Sequence, residues 1–183
     1  MNPRRFARRL AVAALVALTG LSGCGYALAG RGSFLPAHIK KVCIPQLGNR
    51  TEYTGAEPIF TQKIREEFIG RRGRSMEVTS DCEGSHARLT GDIVAISQAP
   101  AGFTNQQLAS RYRFTVTIKA AFIDAMDDKV LWSNDALTFS EEYDISPQGP
   151  IQGGTFVTQY RSSFERLAAD AARTVVTAIT EAF

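Results

Sequence analysis

The most regular alternation in the chain lies between residues 112 and 122. Tyr112, Phe114, Val116, Ile118, Ala120 and Phe122 share one face of a strand, and Arg113, Thr115, Thr117 and Lys119 share the other. Asp127-Asp128 then predicts a tight turn, and residues 130–143 return as the partner strand. Upstream, residues 39–44 alternate as a first strand that Pro45 stops, and Gly48-Asn49-Arg50-Thr51 reads as a turn. Pro58, with Glu57 beside it, marks a helix start, and Phe60, Ile64 and Phe68 follow at helical spacing until Gly70 and Gly73 end the run. Residues 76–79 predict a short second strand, 81–85 a loop, 89–97 a third strand and 99–109 a polar loop. Pro147 and Pro150, then Gly153 and Gly154, break the chain before the last thirty residues. There Phe156, Tyr160, Phe164, Leu167, Ala168, Ala171, Val175, Ile179 and Ala182 trace one stripe of a long helix. Its many alanines allow close approach to a sheet. These elements predict an α+β fold: a two-layer sandwich with two helices packed on one face of a mixed four- to five-stranded sheet, as a single domain over residues 37–183.

The first 36 residues follow a different pattern. Arg4, Arg5, Arg8 and Arg9 precede an apolar run at residues 10–18, and small residues lead to Cys24. That run is far shorter than the ~20 residues needed to cross a bilayer. It reads as a secretory signal over residues 1–23. Leu21-Ser22-Gly23-Cys24 looks like a lipobox, so cleavage before Cys24 and acylation of that cysteine are expected; the plainer alternative is a signal peptide with an incidental cysteine. Gly25 is not the Asp that commonly retains lipoproteins at the inner membrane, so the outer membrane is the expected location. The Gly-rich residues 24–36 then form a lipidated tether.

Charge changes meaning once the leader is set aside. The whole chain carries 21 Lys+Arg against 18 Asp+Glu, a formal +3. Loss of the four leader arginines leaves 17 against 18, a formal −1. The basic footprint of a nucleic-acid binder is therefore absent, and no nucleic-acid partner is expected.

Candidate chemistry is sparse. The two histidines are His38 and His86, and Cys82/His86 could be drawn as a nucleophile and base, the basis of a lipoprotein-hydrolase reading. Nothing nearby would lower the Cys82 thiol pKa. Asp127/Asp128 could be drawn as an acidic or metal pair, although aspartate is a standard turn residue. No phosphate loop, GxSxG or HExxH motif occurs, and no cofactor or metal is expected. Cys43 and Cys82 are candidates for a disulfide outside the cytoplasm. Cys43 faces away from Val42 and Ile44, and a strand-helix-strand unit would bring Cys82 beside it.

The mature N-terminus carries a more specific pattern. Cys24-Gly25-Tyr26-Ala27-Leu28-Ala29-Gly30, then Leu35-Pro36, then Ile39 through Pro45 and Asn49-Arg50-Thr51, resembles the lipopolysaccharide-assembly lipoprotein family LptE. Cys43 and Cys82 are outside the family pattern. The resemblance implies a non-enzymatic protein that plugs the lumen of the outer-membrane β-barrel LptD, helps it assemble, and binds lipopolysaccharide during delivery to the outer leaflet. Within that frame Arg111, Arg113 and Lys119 become candidate lipopolysaccharide contacts, because all three project from one strand face toward what could be lipid phosphates. The alternative is a merely solvated polar face, or one packed on the barrel wall. Loops 99–110 and 144–155 hold no Lys or Arg, so a basic loop site of the kind some members use is missing. A periplasm-facing lipoprotein that binds another ligand or envelope complex is the rival reading.

Overall fold

The structure is a computed structural model that describes residues 35–72, 76–105, 109–144 and 160–182. The leader, Cys24, most of the tether and Phe156 lie outside the described residues. The elements run β1 (Lys41–Cys43), β2 (Gly48–Asn49), α1 (Ala56–Arg72), β3 (Glu77–Thr79), β4 (Ala87–Phe103), β5 (Ala109–Asp124), β6 (Val130–Asp144) and α2 (Arg161–Glu181). The sheet is ordered β3-β1-β4-β5-β6, with β2 also paired to β4. It is mixed: β1 runs parallel to β3 and β4, and β2 runs parallel to β4, while β4, β5 and β6 form an antiparallel meander.

Both helices cover the same face. Phe68 of α1 stacks on Phe122, with ring centroids 6.3 Å apart, and Phe164 of α2 lies 5.3 Å from Phe114. Phe114 and Phe122 belong to the even-numbered apolar set of β5, so α1 and α2 share the side those residues face. Phe60, Ile64 and Phe68 from α1 are fully buried against Val116, Ile118 and Leu89 from the sheet. The α2 stripe of Phe164, Leu167, Ala168, Ala171, Val175 and Ile179 is likewise buried. Each large apolar side chain removed from water contributes roughly 1.5–3 kcal/mol, so this shared layer dominates the stability of the fold. Leu35 and Ile39 also join the core, so chain expected to be tether already packs at Leu35.

The sheet has six strands where four to five were expected. The added one is β2, whose two residues had read as a turn. Gly48 and Asn49 pair alongside Asp92 and Ile93, and Arg50 N–H donates to the Ile93 carbonyl at 2.9 Å. A two-residue strand leaves no periodicity to detect. The polar segment expected as a loop over 99–109 is mostly strand: β4 continues to Phe103, and β5 starts at Ala109. Ladder hydrogen bonds use the backbone, so polar side chains do not prevent pairing once two strands are aligned. Register shifts between Pro100 and Phe103 accommodate the proline, which has no N–H to donate. The first helix begins at Ala56, two residues before Pro58, which therefore stands in the first turn where its missing donor costs nothing.

Gly91 shows why one strand position tolerates no side chain. A Cβ there would lie 2.5 Å from the Lys119 carbonyl oxygen and 3.0 Å from Leu47. The glycine lets β4 and β5 close up where Leu47 covers them.

Candidate outer-face site

The odd-numbered face of β5 points away from the helices. Arg111, Arg113 and Lys119 all stand on it, about half exposed. Their partners come from β6. Arg113 pairs in register with Glu142, and its Nε donates to Oε1 at 3.2 Å. Arg111 Nη1 reaches Oε2 of the same carboxylate at 3.5 Å. Lys119 Nζ lies 2.7 Å from Asp135 Oδ1. Arg113 chiefly, and then Arg111, hold the Glu142 carboxyl below its ordinary pKa.

The two arginines therefore meet at one carboxylate, but Lys119 does not join them. Six residues separate Lys119 from Arg113, or roughly 20 Å along a strand. Hydroxyl groups occupy the interval: Thr115 is paired with Ser97 and Ser140, and Thr117 Oγ1 lies 3.3 Å from Thr138 Oγ1. The face is a shallow polar surface with an ion-paired cluster toward each end. It presents ion-paired cations and hydrogen-bonding hydroxyls.

The other candidates occupy the opposite pole or the strand junctions. Cys43 and Cys82 are joined as a disulfide, with Cα atoms 5.0 Å apart, linking β1 to the loop after β3. Cys82 is therefore no free thiol. His86 Nδ1 accepts the backbone N–H groups of Lys40 at 3.2 Å and Lys41 at 3.1 Å, so it braces the start of β1. A Cys82/His86 nucleophile-base pair is not formed. His38 Nε2 meets Asp124 Oδ2 at 2.6 Å, and Asp124 Oδ1 accepts the Met126 N–H at 2.9 Å. That backbone bond first, and His38 second, hold the buried Asp124 carboxyl below its ordinary pKa. Asp127 Oδ1 accepts the Lys129 N–H, and Asp128, at φ 54°, takes the left-handed turn position and pairs with Arg88 at 2.8 Å. Both aspartates thus serve the turn.

Sequence reasoning missed two arrangements. Asn49 Nδ2 donates to Glu57 Oε2 and to the Tyr53 carbonyl, both at 2.9 Å, while Asn49 Oδ1 accepts from Thr51 N–H and Oγ1–H. The Asn-x-Thr spacing was visible, but its partner at the start of α1 was not. Behind the arginine cluster, Tyr143 stacks on Phe114 at 4.5 Å and on Tyr112 at 6.0 Å, with Tyr160 4.6 Å away. Burial, and then Tyr160, push the Tyr143 hydroxyl pKa upward. The β6 alternation held this signal, but the contribution of Tyr160 depends on how α2 returns to the sheet.

The lipopolysaccharide-assembly family LptE matches residues 39–179 of the chain, from two residues before β1 to the last turn of α2. The chain belongs to the LptE family. Membership makes it one of a non-catalytic family of envelope lipoproteins concerned with lipopolysaccharide assembly and its transport machinery. No curated protein matches it. Among solved structures, the fold recurs at low identity. An uncharacterized lipoprotein B from Nitrosomonas europaea is 16% identical, with TM-score 0.52 over 85% of this chain and 92% of that one. A protein from Xanthomonas campestris is 14% identical, with TM-score 0.51 over 80% and 90%. At these identities the likeness establishes the shared fold alone. Among the described residues no helix is long and apolar enough to cross a membrane.

Proposed function

We propose that this chain is an outer-membrane lipoprotein, anchored through Cys24 after removal of residues 1–23, that plugs an LptD-type β-barrel and assists its assembly. It binds lipopolysaccharide on the way to the outer leaflet. The residues between Cys24 and Leu35 act as the tether, and the chain from Leu35 onward as the single α+β domain. The observation that carries this reading is the face of β4, β5 and β6 that neither helix covers: paired charges and hydroxyls on a member of the LptE family. A barrel lumen is itself polar, so such a face is compatible with its wall. Arg111, Arg113 and Lys119 supply cations for lipid phosphates, and arginine can bind them in bidentate fashion. The domain needs no reaction centre for this role.

Purification in mild detergent tests the reading. The expected result is a stoichiometric 1:1 complex with a β-barrel, and poor assembly of that barrel in a strain lacking this chain. A protein that purifies alone, with the barrel normally assembled in its absence, would overturn the plug. Mass spectrometry of the mature N-terminus tests the anchor separately, and an unmodified Cys24 would refute it.

A further inference from the structure

The chain enters the domain at one pole of the sheet. Leu35 is buried, the Ile39 N–H donates to the Pro36 carbonyl, and His38 is fixed to Asp124 at the end of β5. The Ala125 N–H donates to the His86 carbonyl, which ties the β5–β6 turn to the start of β4. The entering chain, the start of β4 and the β5–β6 turn therefore share a pole. That pole carries two of the four exposed large apolar side chains among the described residues, Met126 at 74% and Val130 at 53%. Exposed Lys129 lies between them in sequence, and exposed Lys40 stands at the same end. The opposite pole is the β4–β5 tip, where Phe103 is 64% exposed.

We propose that the β5–β6 turn, through Met126 and Val130, is the face on which this lipoprotein rests on its own membrane before any barrel is engaged. The proposal rests on the Cys24 anchor. Chain length favours this pole over the other. Eleven residue steps from Cys24 to Leu35 reach at most about 40 Å, whatever path they take. The 17 residues of β4 span about 50 Å, so an upright domain cannot put the Phe103 tip on the anchoring membrane. The turn pole reaches it without stretching the chain. Lying flat would press ion-paired faces against the bilayer instead. At the turn pole, Met126 and Val130 can enter the headgroup layer, while Lys40 and Lys129 meet lipid phosphates. The turn carboxylates are partly occupied: Asp128 by Arg88, and Asp127 by the Lys129 N–H.

The lipidated protein reconstituted in phosphatidylethanolamine/phosphatidylglycerol vesicles tests this, with brominated acyl chains as the fluorescence quencher. Trp132 is the only native tryptophan and sets the baseline. Met126→Trp should add emission that brominated lipid removes, and Phe103→Trp should add emission that survives. Val130→Trp replaces the first variant if its thermal melt departs from wild type. Equal quenching at both poles, or quenching of Phe103→Trp alone, in protein that floats with the vesicles would overturn the proposal and leave the anchor standing. Protein that does not float would overturn the anchor, and this proposal with it.

Discussion

Asp124 joins the entering chain to the β5–β6 turn, because its carboxylate meets His38 from the one and the Met126 N–H from the other. Its side chain is 7% exposed, and its two oxygens are satisfied by different partners, the Met126 N–H and His38. Hydrogen bonds to a charged group contribute about 1.5–3 kcal/mol. Asp124→Ala should therefore destabilise the domain by about 1.5–3 kcal/mol at neutral pH, read from urea unfolding. The pH dependence has a definite sign. The folded-state pKa of Asp124 is depressed. Its contribution is therefore complete above the unfolded aspartate value, about 3.9, and is lost as pH falls through the lower folded value. The carboxylate's share of the gap between wild type and variant should stand in full at pH 5 and should close in stronger acid. A gap that persisted there would mean the contact acts through packing, not through the carboxylate charge.

Among the elements, β3 depends most on a covalent tie. It has three residues and, among the described residues, pairs only with β1 at one edge of the sheet. The Cys43–Cys82 disulfide closes a loop with a sequence separation of 39 around α1 and β3. Chain-entropy arguments give such a loop about 4 kcal/mol of stabilisation. Reduction should lower the urea midpoint accordingly, and free-thiol labelling of unreduced, denatured protein should find neither cysteine; labelling of both would refute the bond. Legibility followed element length. β5 and α2 were plain because their apolar positions repeat over four or more periods and face a single layer, which is why Phe114 through Phe122 and Phe164 through Ile179 are buried. β2 was not legible because two residues carry no period. The 99–103 extension was missed because exposed strand residues need no apolar alternation once β5 supplies the ladder. Of the outer-face candidates, the shared direction of Arg111, Arg113 and Lys119 followed from parity alone. Their carboxylate partners did not, because the β5–β6 register depends on a shift between Ile118 and Ala120 that no local pattern marks.

At the scale of the whole molecule, the two sheet faces divide the work. One buries the apolar layer under α1 and α2, and the other holds charge and hydroxyl groups whose loss the fold can tolerate. Exposed ion pairs of this kind stabilise by only about 0–1 kcal/mol, because water and salt screen them. Replacing Arg111, Arg113 and Lys119 together should leave the thermal melt of the purified domain nearly unchanged. If these cations meet lipid phosphates, the same replacement should weaken lipopolysaccharide binding, and the loss should shrink at high salt. The carboxylates sharpen the test. A phosphate reaching Arg113 must first displace Glu142, at a cost comparable to the pair's small net strength. Glu142→Gln removes that competitor and should tighten binding. A face that merely packs against a barrel wall would respond differently, since the glutamine would neither recruit nor repel a phosphate there. Titration of the purified domain with lipopolysaccharide separates the two cases. Opposite shifts in the triple variant and in Glu142→Gln identify a phosphate contact. Binding that survives the triple replacement and ignores Glu142→Gln makes the stripe structural and places the lipopolysaccharide contact elsewhere on the domain.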